Sequence, residues 1–182
     1  MTLQTGMMLL AAKMPLDMMI SKMSEGMVET LKIFFLTLLF SLPLGLVIAF
    51  GRMAKNRIIR YIVTVYIAIM RGTPLMLQVM AIYFGPNYLL HIRIPRSYRF
   101  IAIIVAFALN YAAYFAEIYR SGIESMPVGQ YEAARLLGYN KAQTFFKIIL
   151  PQVIKRILPS ITNEVICLVK DTSLAFSIAY LE

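Results

Sequence analysis

The chain predicts an all-α integral membrane protein, a polytopic helical bundle with about four spans, and three observations carry that reading. Of its 182 residues 60% are hydrophobic and only 15% charged, at a mean hydropathy of +0.72, a balance foreign to soluble domains. Several windows exceed the roughly 20 apolar residues that a helix needs to cross about 30 Å of hydrocarbon. The alternating polar and apolar residues of a membrane barrel are missing.

The elements follow in order. Residues 1–27 hold eight of the 13 methionines, interleaved with Lys13, Asp17, Lys22 and Glu25. That mixture suits an amphipathic segment over residues 1–25 lying along the membrane surface, ahead of a spanning domain over 26–182. No basic run precedes Met7 to Ala12 and no small-residue cleavage site follows, which leaves the first span as the insertion signal. That span runs from about Leu31 to Phe50, with a bend expected at Pro43 and Gly45. Arg52, Lys55, Arg57 and Arg60 then mark the inner face, since basic residues beside spans stay in the cytoplasm.

A second span from about Ile62 to Phe84 encloses Arg71-Gly72-Thr73-Pro74 and ends at a turn of Gly85, Pro86 and Asn87. Residues 85–98 are then outside, although His91, Arg93, Arg96 and Arg99 run mildly against that orientation. A third span, about Phe100 to Tyr119, leads into a cytoplasmic segment over 120–158 that carries six more basic residues. The fourth begins after Pro159 and contains Glu164, Lys170 and Asp171.

Charge and cysteine content exclude several functions. The formal charge of +9 is gathered at span ends, so nucleic acid is not an expected partner. The single cysteine, Cys167, cannot form an intrachain disulfide or a cysteine-rich metal site. There is no G-x-x-x-x-G-K-[ST] phosphate loop, and the nine scattered acids offer no magnesium or other metal site. No cofactor and no catalytic residue is expected on this chain.

The polar stretch Glu132 to Pro151 stands between apolar segments and belongs in the cytoplasm. Small Ala133 and Ala134 permit close packing, Gly138 permits a left-handed turn, and Pro151 is expected to stop a helix there. The expected product is a short helix, a bend and a second short helix. Its fixed positions, Glu132-Ala133-Ala134, Gly138, Ile148 and Leu150-Pro151, resemble the EAA loop of ABC importer permeases. Arg71-Gly72-Thr73-Pro74-Leu75 with Gln78, Asn110 to Tyr114, Glu117, Arg120 and Lys170 to Leu174 are similar to the branch that moves polar amino acids.

The resemblance covers residues 26–182 and implies a permease subunit of an ATP-driven, binding-protein-dependent importer in the bacterial cytoplasmic membrane. It implies a second permease subunit, identical or related, two copies of an ATP-binding subunit that hold the ATP and magnesium, and an extracytoplasmic amino-acid-binding protein. Glu132, Ala133, Ala134, Gly138, Leu150 and Pro151 would couple to the ATPase. Related permeases usually carry a fifth span, so the resemblance implies either further chain or a shortened protein.

Intramembrane charge supplies the candidate pathway. Arg71 is too deep to snorkel easily, and an ionised group there costs about 2.5–3.5 kcal/mol on insertion scales, so it faces protein or a water-filled cavity. It either ties down carbonyls freed by Pro74 or lines the path. Glu164 and Asp171 point within about 20° of each other at helical spacing, with Lys170 turned by about 100°. Carboxylates beside an ammonium complement a zwitterionic amino acid; pairing with neighbouring helices is the alternative. By the resemblance Glu164 occupies a position that varies between members, where a carboxylate favours a cationic or amide side chain. Asn110 shares a helical face with Tyr114 and is either a packing or a pathway residue. Two rival functions fit less of the chain: an ion-coupled carrier or channel fragment using Glu164 and Asp171, and an ABC permease for methionine or a quaternary amine.

Overall fold

The computed structural model describes residues 15–90, 95 and 98–179; among them every regular element is helical. Residues 1–14, His91, Arg93 and Arg96 lie outside the described residues. Helix α1, Leu16–Arg52, has 37 residues and measures about 55 Å, well over the bilayer core. It runs without interruption through residue 25, so no break separates an interfacial segment from the first span, and Pro43 sits inside it.

Its buried positions Ile33, Thr37, Ser41, Gly45 and Ala49 recur every fourth residue and form a line of mostly small side chains. That line lies on α4, Tyr98–Glu124, the most buried helix of the fold, whose matching face is rich in alanine. The approach is close. A Cβ on Gly45 would stand 2.9 Å from Phe115 Cβ and 3.1 Å from the Ala112 carbonyl oxygen.

The expected second span is not one helix. Helix α2, Arg57–Gly72, and α3, Leu75–Leu90, meet at a 107° bend at Thr73-Pro74. Pro74 has no N–H and forces the residue before it out of the helical region, and Thr73 accordingly adopts φ −117°, ψ 145°. The turn expected at Gly85-Pro86-Asn87 is absent: α3 continues through Pro86. The carbonyl of Ile82, one turn back, loses its helical donor and accepts instead from the Tyr98 hydroxyl at 3.4 Å.

Beyond α4 come α5, Val128–Leu136, and α6, Lys141–Gln143; α6 runs through a wide turn at Thr144–Ile149 into α7, Leu150–Ala179. Pro151 does not stop the helix and Pro159 does not begin one. In the wide turn the Leu150 N–H bonds the carbonyl five residues back, and such a bulge lets a helix absorb a proline in the following turn. Helices α1 and α4 are long and apolar enough to cross a membrane, and the bent α2–α3 pair makes a third crossing if counted as one. Helix α7, with 30 residues, has the length for the fourth, but its charges keep it from qualifying on composition.

Candidate functional site

Two regions carry the candidate residues. The first is the elbow from α5 to α6. Gly138 adopts φ +79°, the Gly138 N–H bonds the Arg135 carbonyl at 3.0 Å, and the Tyr139 N–H bonds that of Ala134 at 3.0 Å. This double closure is the usual glycine-terminated helix end. Asn140 and Gln143 then open the next helix reciprocally: the Gln143 N–H donates to Asn140 Oδ1 at 2.9 Å, and the Asn140 N–H to Gln143 Oε1 at 3.0 Å. Ala134 is buried, whereas Glu132, Ala133 and Gly138 are exposed. Leu136 and Leu137, 88% and 74% exposed, make an apolar knob that sequence reasoning missed.

The elbow is fastened to the base of α7, where Leu150 is half-buried and Pro151 exposed. Gln152 donates to Gln130 at 3.3 Å, and the Arg156 guanidinium donates to the Ser125 carbonyl at 2.7 Å and to its hydroxyl at 2.9 Å. Met126, Ile149, Val153 and Ile157 form a small core beneath these bonds. Gly122 lets the end of α4 touch α7: a Cβ there would meet Ile157 Cγ2 at 2.2 Å.

The second region surrounds the α2–α3 bend. The Gln78 amide donates to the Met70 carbonyl at 2.9 Å and to the Thr73 carbonyl at 3.1 Å, caring for groups the break leaves without helical donors. Asn110, only 5% exposed, donates to the Met70 carbonyl at 2.9 Å and to Gln78 Oε1 at 3.0 Å. Its amide thus holds the bend. The same bend turns Arg71 across α4, with its guanidinium carbon 5.1 Å from the Tyr114 ring centroid, a cation–π contact.

Glu164 lies within electrostatic reach of both Arg71 and Asp171, and Tyr111 faces Glu164, Cys167 and Asp171 together. The Tyr111 hydroxyl donates to Asp171 Oδ2 at 2.7 Å. Both carboxylates of α7 therefore address one side of α4, the stripe expected from their spacing. Lys170 is exposed on an adjoining face, and its ammonium has no ion pair among the described residues. Arg71, not Lys170, is the cation within electrostatic reach of Glu164. Below them Glu117 binds Arg120 at 2.7 Å and Arg52 at 3.5 Å, a cluster that the i,i+3 spacing of Glu117 and Arg120 could have signalled. Among the described residues no group of His, Cys, Asp or Glu could hold a metal ion.

An exposed guanidinium over an aromatic ring, a partly exposed carboxylate within its electrostatic reach and a second carboxylate held by a tyrosine gather polar groups among apolar helices. Charges of both signs so placed complement a small zwitterion without covalent chemistry. Comparison with known proteins agrees with this architecture. An L-cystine transport system permease protein of Bacillus subtilis is 38% identical over 160 residues, covering 88% of this chain and 67% of that protein. An arginine transport system permease protein of the same organism is 40% identical over 150 residues, 82% of this chain and 67% of its own. A Rickettsia bellii protein that carries the provisional name of a glutamine transport system permease is 41% identical over the same shares.

The crystal structure of an amino acid ABC transporter with histidines superposes with a TM-score of 0.77 at 35% identity, covering 92% of this chain and 78% of that one. A methionine ABC transporter, at 21% identity and a TM-score of 0.63, shares the fold. The sequence profile of the binding-protein-dependent transport system inner membrane component family matches residues 41–179. The chain therefore belongs to that family, as a membrane-embedded transport subunit and not an enzyme.

Proposed function

We propose that the chain forms the translocation path of an ATP-driven importer of polar amino acids in a bacterial cytoplasmic membrane. The observation that carries this reading is that one helix, α7, is fastened at its base to the α5–α6 elbow and bears Glu164 and Asp171 further along, opposite Arg71. From Ile157 to Glu164 is about 10 Å along the axis, and to Asp171 about 21 Å. Movement of the elbow reaches these residues along one continuous helix.

The cargo class is supported by the relatives' names, which specify cystine, arginine and, provisionally, glutamine. Arg71 receives the α-carboxylate. Glu164 receives a cationic or amide side chain, Asp171 completes the acidic side, and Lys170 offers a second cation along the path. Asn110 is a positioning residue that fixes the bend presenting Arg71. Glu132, Ala133, Ala134 and Gly138, with Leu150 and Pro151 at the root of the elbow, serve the partner ATPase. Two copies of that ATPase bind the ATP and magnesium, a second permease subunit completes the path, and an external binding protein delivers the amino acid. Access alternates as the ATPases close, since one site must be exposed differently in two global states.

Uptake of radiolabelled amino acids by the reconstituted complex tests this. The wild type should import a cationic or amide amino acid only with ATP inside and binding protein outside, and Glu164→Ala should abolish that uptake while leaving assembly intact. Uptake driven by membrane potential without an ATPase, or full activity in Glu164→Ala, defeats the reading.

A further inference from the structure

The corner between α1 and α2 carries positive charge that the transport path does not use. Of its four cations, Arg52 turns inward to Glu117 at 3.5 Å. Lys55, Arg57 and Arg60 are exposed, and none pairs with an acid among the described residues. They stand on a rigid corner: the Met53 N–H bonds the Ala49 carbonyl at 3.0 Å, the Ala54 N–H bonds that of Gly51 at 3.2 Å, and Asn56 caps α2 through the Ile58 N–H at 2.9 Å. Gly51 draws the two helices together, since a Cβ there would lie 3.0 Å from Val63 Cγ2.

Directly beyond this corner α2 shows an apolar stripe. Ile58, Tyr61, Ile62 and Val65 follow the i, i+3, i+4, i+7 spacing of one helical face, and the first three are 70%, 71% and 61% exposed. Exposed cations adjoining an exposed tyrosine and apolar stripe are the two-part complement of a phospholipid with an anionic head.

We propose that the α1–α2 corner is a binding site for an anionic phospholipid. The phosphate oxygens accept hydrogen bonds from Lys55, Arg57 and Arg60, the arginines presenting planar forks suited to phosphate, and an acyl chain lies along Ile58, Tyr61, Ile62 and Val65. Arg71 stands at the opposite end of the same helix, about 21 Å away. The bound lipid thereby sets the depth and tilt of the helix that presents Arg71 to the path.

Native mass spectrometry of the full chain in mild detergent tests the site. The titrants are phosphatidylglycerol, phosphatidylcholine with the same acyl chains, and inorganic phosphate. The wild type should retain phosphatidylglycerol at least about tenfold better than phosphatidylcholine, the K55Q/R57Q/R60Q variant should lose that preference, and K55R/R57K/R60K should keep it. Ile58→Ser with Ile62→Ser should weaken retention severalfold, and millimolar inorganic phosphate should not displace the lipid.

Equal phosphatidylglycerol retention by K55Q/R57Q/R60Q overturns the site, as does displacement by inorganic phosphate, which would make it a free-anion site. A K55Q/R57Q/R60Q chain that keeps the lipid but loses its ATPase subunit would make the corner a protein interface instead. If that variant fails to insert, Arg57→Gln and Arg60→Gln are read singly; each should lose retention by about fivefold, and no loss in either overturns the proposal.

Discussion

Gly122→Ala is the sharpest perturbation of the link between elbow and path. The new methyl would stand 2.2 Å from Ile157 Cγ2 and 3.3 Å from Val153 Cγ1. Carbon atoms rest at about 3.5–4.0 Å, so α4 and α7 must part by at least about 1.3 Å. Ile157 has little room to yield, because a β-branched side chain in a helix has one strongly preferred rotamer. Overpacking of this kind costs about 1–3 kcal/mol. Removing the obstructing branch should restore the fit, because the same methyl is 3.7 Å from Ile157 Cβ, an ordinary contact.

The assay is a double-mutant cycle of Gly122→Ala and Ile157→Ala, read by thermal unfolding in detergent and by transport per ATP hydrolysed in proteoliposomes. Gly122→Ala should lower the melting temperature and uncouple hydrolysis from uptake. Ile157→Ala alone should be destabilising through the cavity it leaves, by about 2 kcal/mol or more. The double variant should be more stable than the sum of the two, with a coupling energy of about 1–3 kcal/mol. Additive losses, or a Gly122→Ala protein identical to wild type in both readouts, would show that α4 and α7 do not meet there.

Tyr111→Phe removes the donor to Asp171 and leaves a carboxylate unpartnered among apolar helices; thermal unfolding should show a loss of about 1–3 kcal/mol, with reduced uptake. Leu136→Ser with Leu137→Ser touches only exposed side chains, so stability should stay within about 0.5 kcal/mol while co-purification of the ATPase is lost. Gly45→Leu forces α1 off α4 at a 2.9 Å approach and should prevent accumulation of folded protein in the membrane, measured by fluorescence-detected gel filtration. Asn110→Ala removes two hydrogen bonds, to the Met70 carbonyl and to Gln78 Oε1, and should lower stability by about 1–3 kcal/mol, with the apparent KM for uptake rising as Arg71 loses its placement.

The sequence made the helical class, the break after the first span at the basic corner and the glycine turn at Gly138 legible, because each rests on local chemistry: apolar length, charge beside a span, and a left-handed residue. Pro74, Pro86 and Pro159 depart from the local reading. Pro74 breaks its helix, whereas α3 continues through Pro86 and α7 through Pro159; at Pro86 the Tyr98 hydroxyl bonds the freed Ile82 carbonyl, a tertiary contact that no local pattern reveals. Pro151 was absorbed by a wide turn for which the sequence has no simple mark.

The candidate path shows the same division. Helical spacing placed Glu164 and Asp171 on one stripe, and both do face Tyr111. Which cation meets them depended on the 107° bend, which brings Arg71 from a different helix and leaves Lys170 on the adjoining face. The roles of Gln78, Tyr114 and the Leu136–Leu137 knob were likewise invisible, being set by how elements cross.

Cys167 provides the most direct measurement of the proposed alternating access. It is the sole cysteine of the chain, partly exposed, and stands one turn from Glu164 on the side that faces Tyr111. In proteoliposomes holding the assembled complex, its rate of modification by a membrane-impermeant thiol reagent is measured from each side, with and without a non-hydrolysable ATP analogue. Alternating access driven through the elbow predicts reaction from the inner side without nucleotide and from the outer side with it. Reaction from the same side in both states would contradict it.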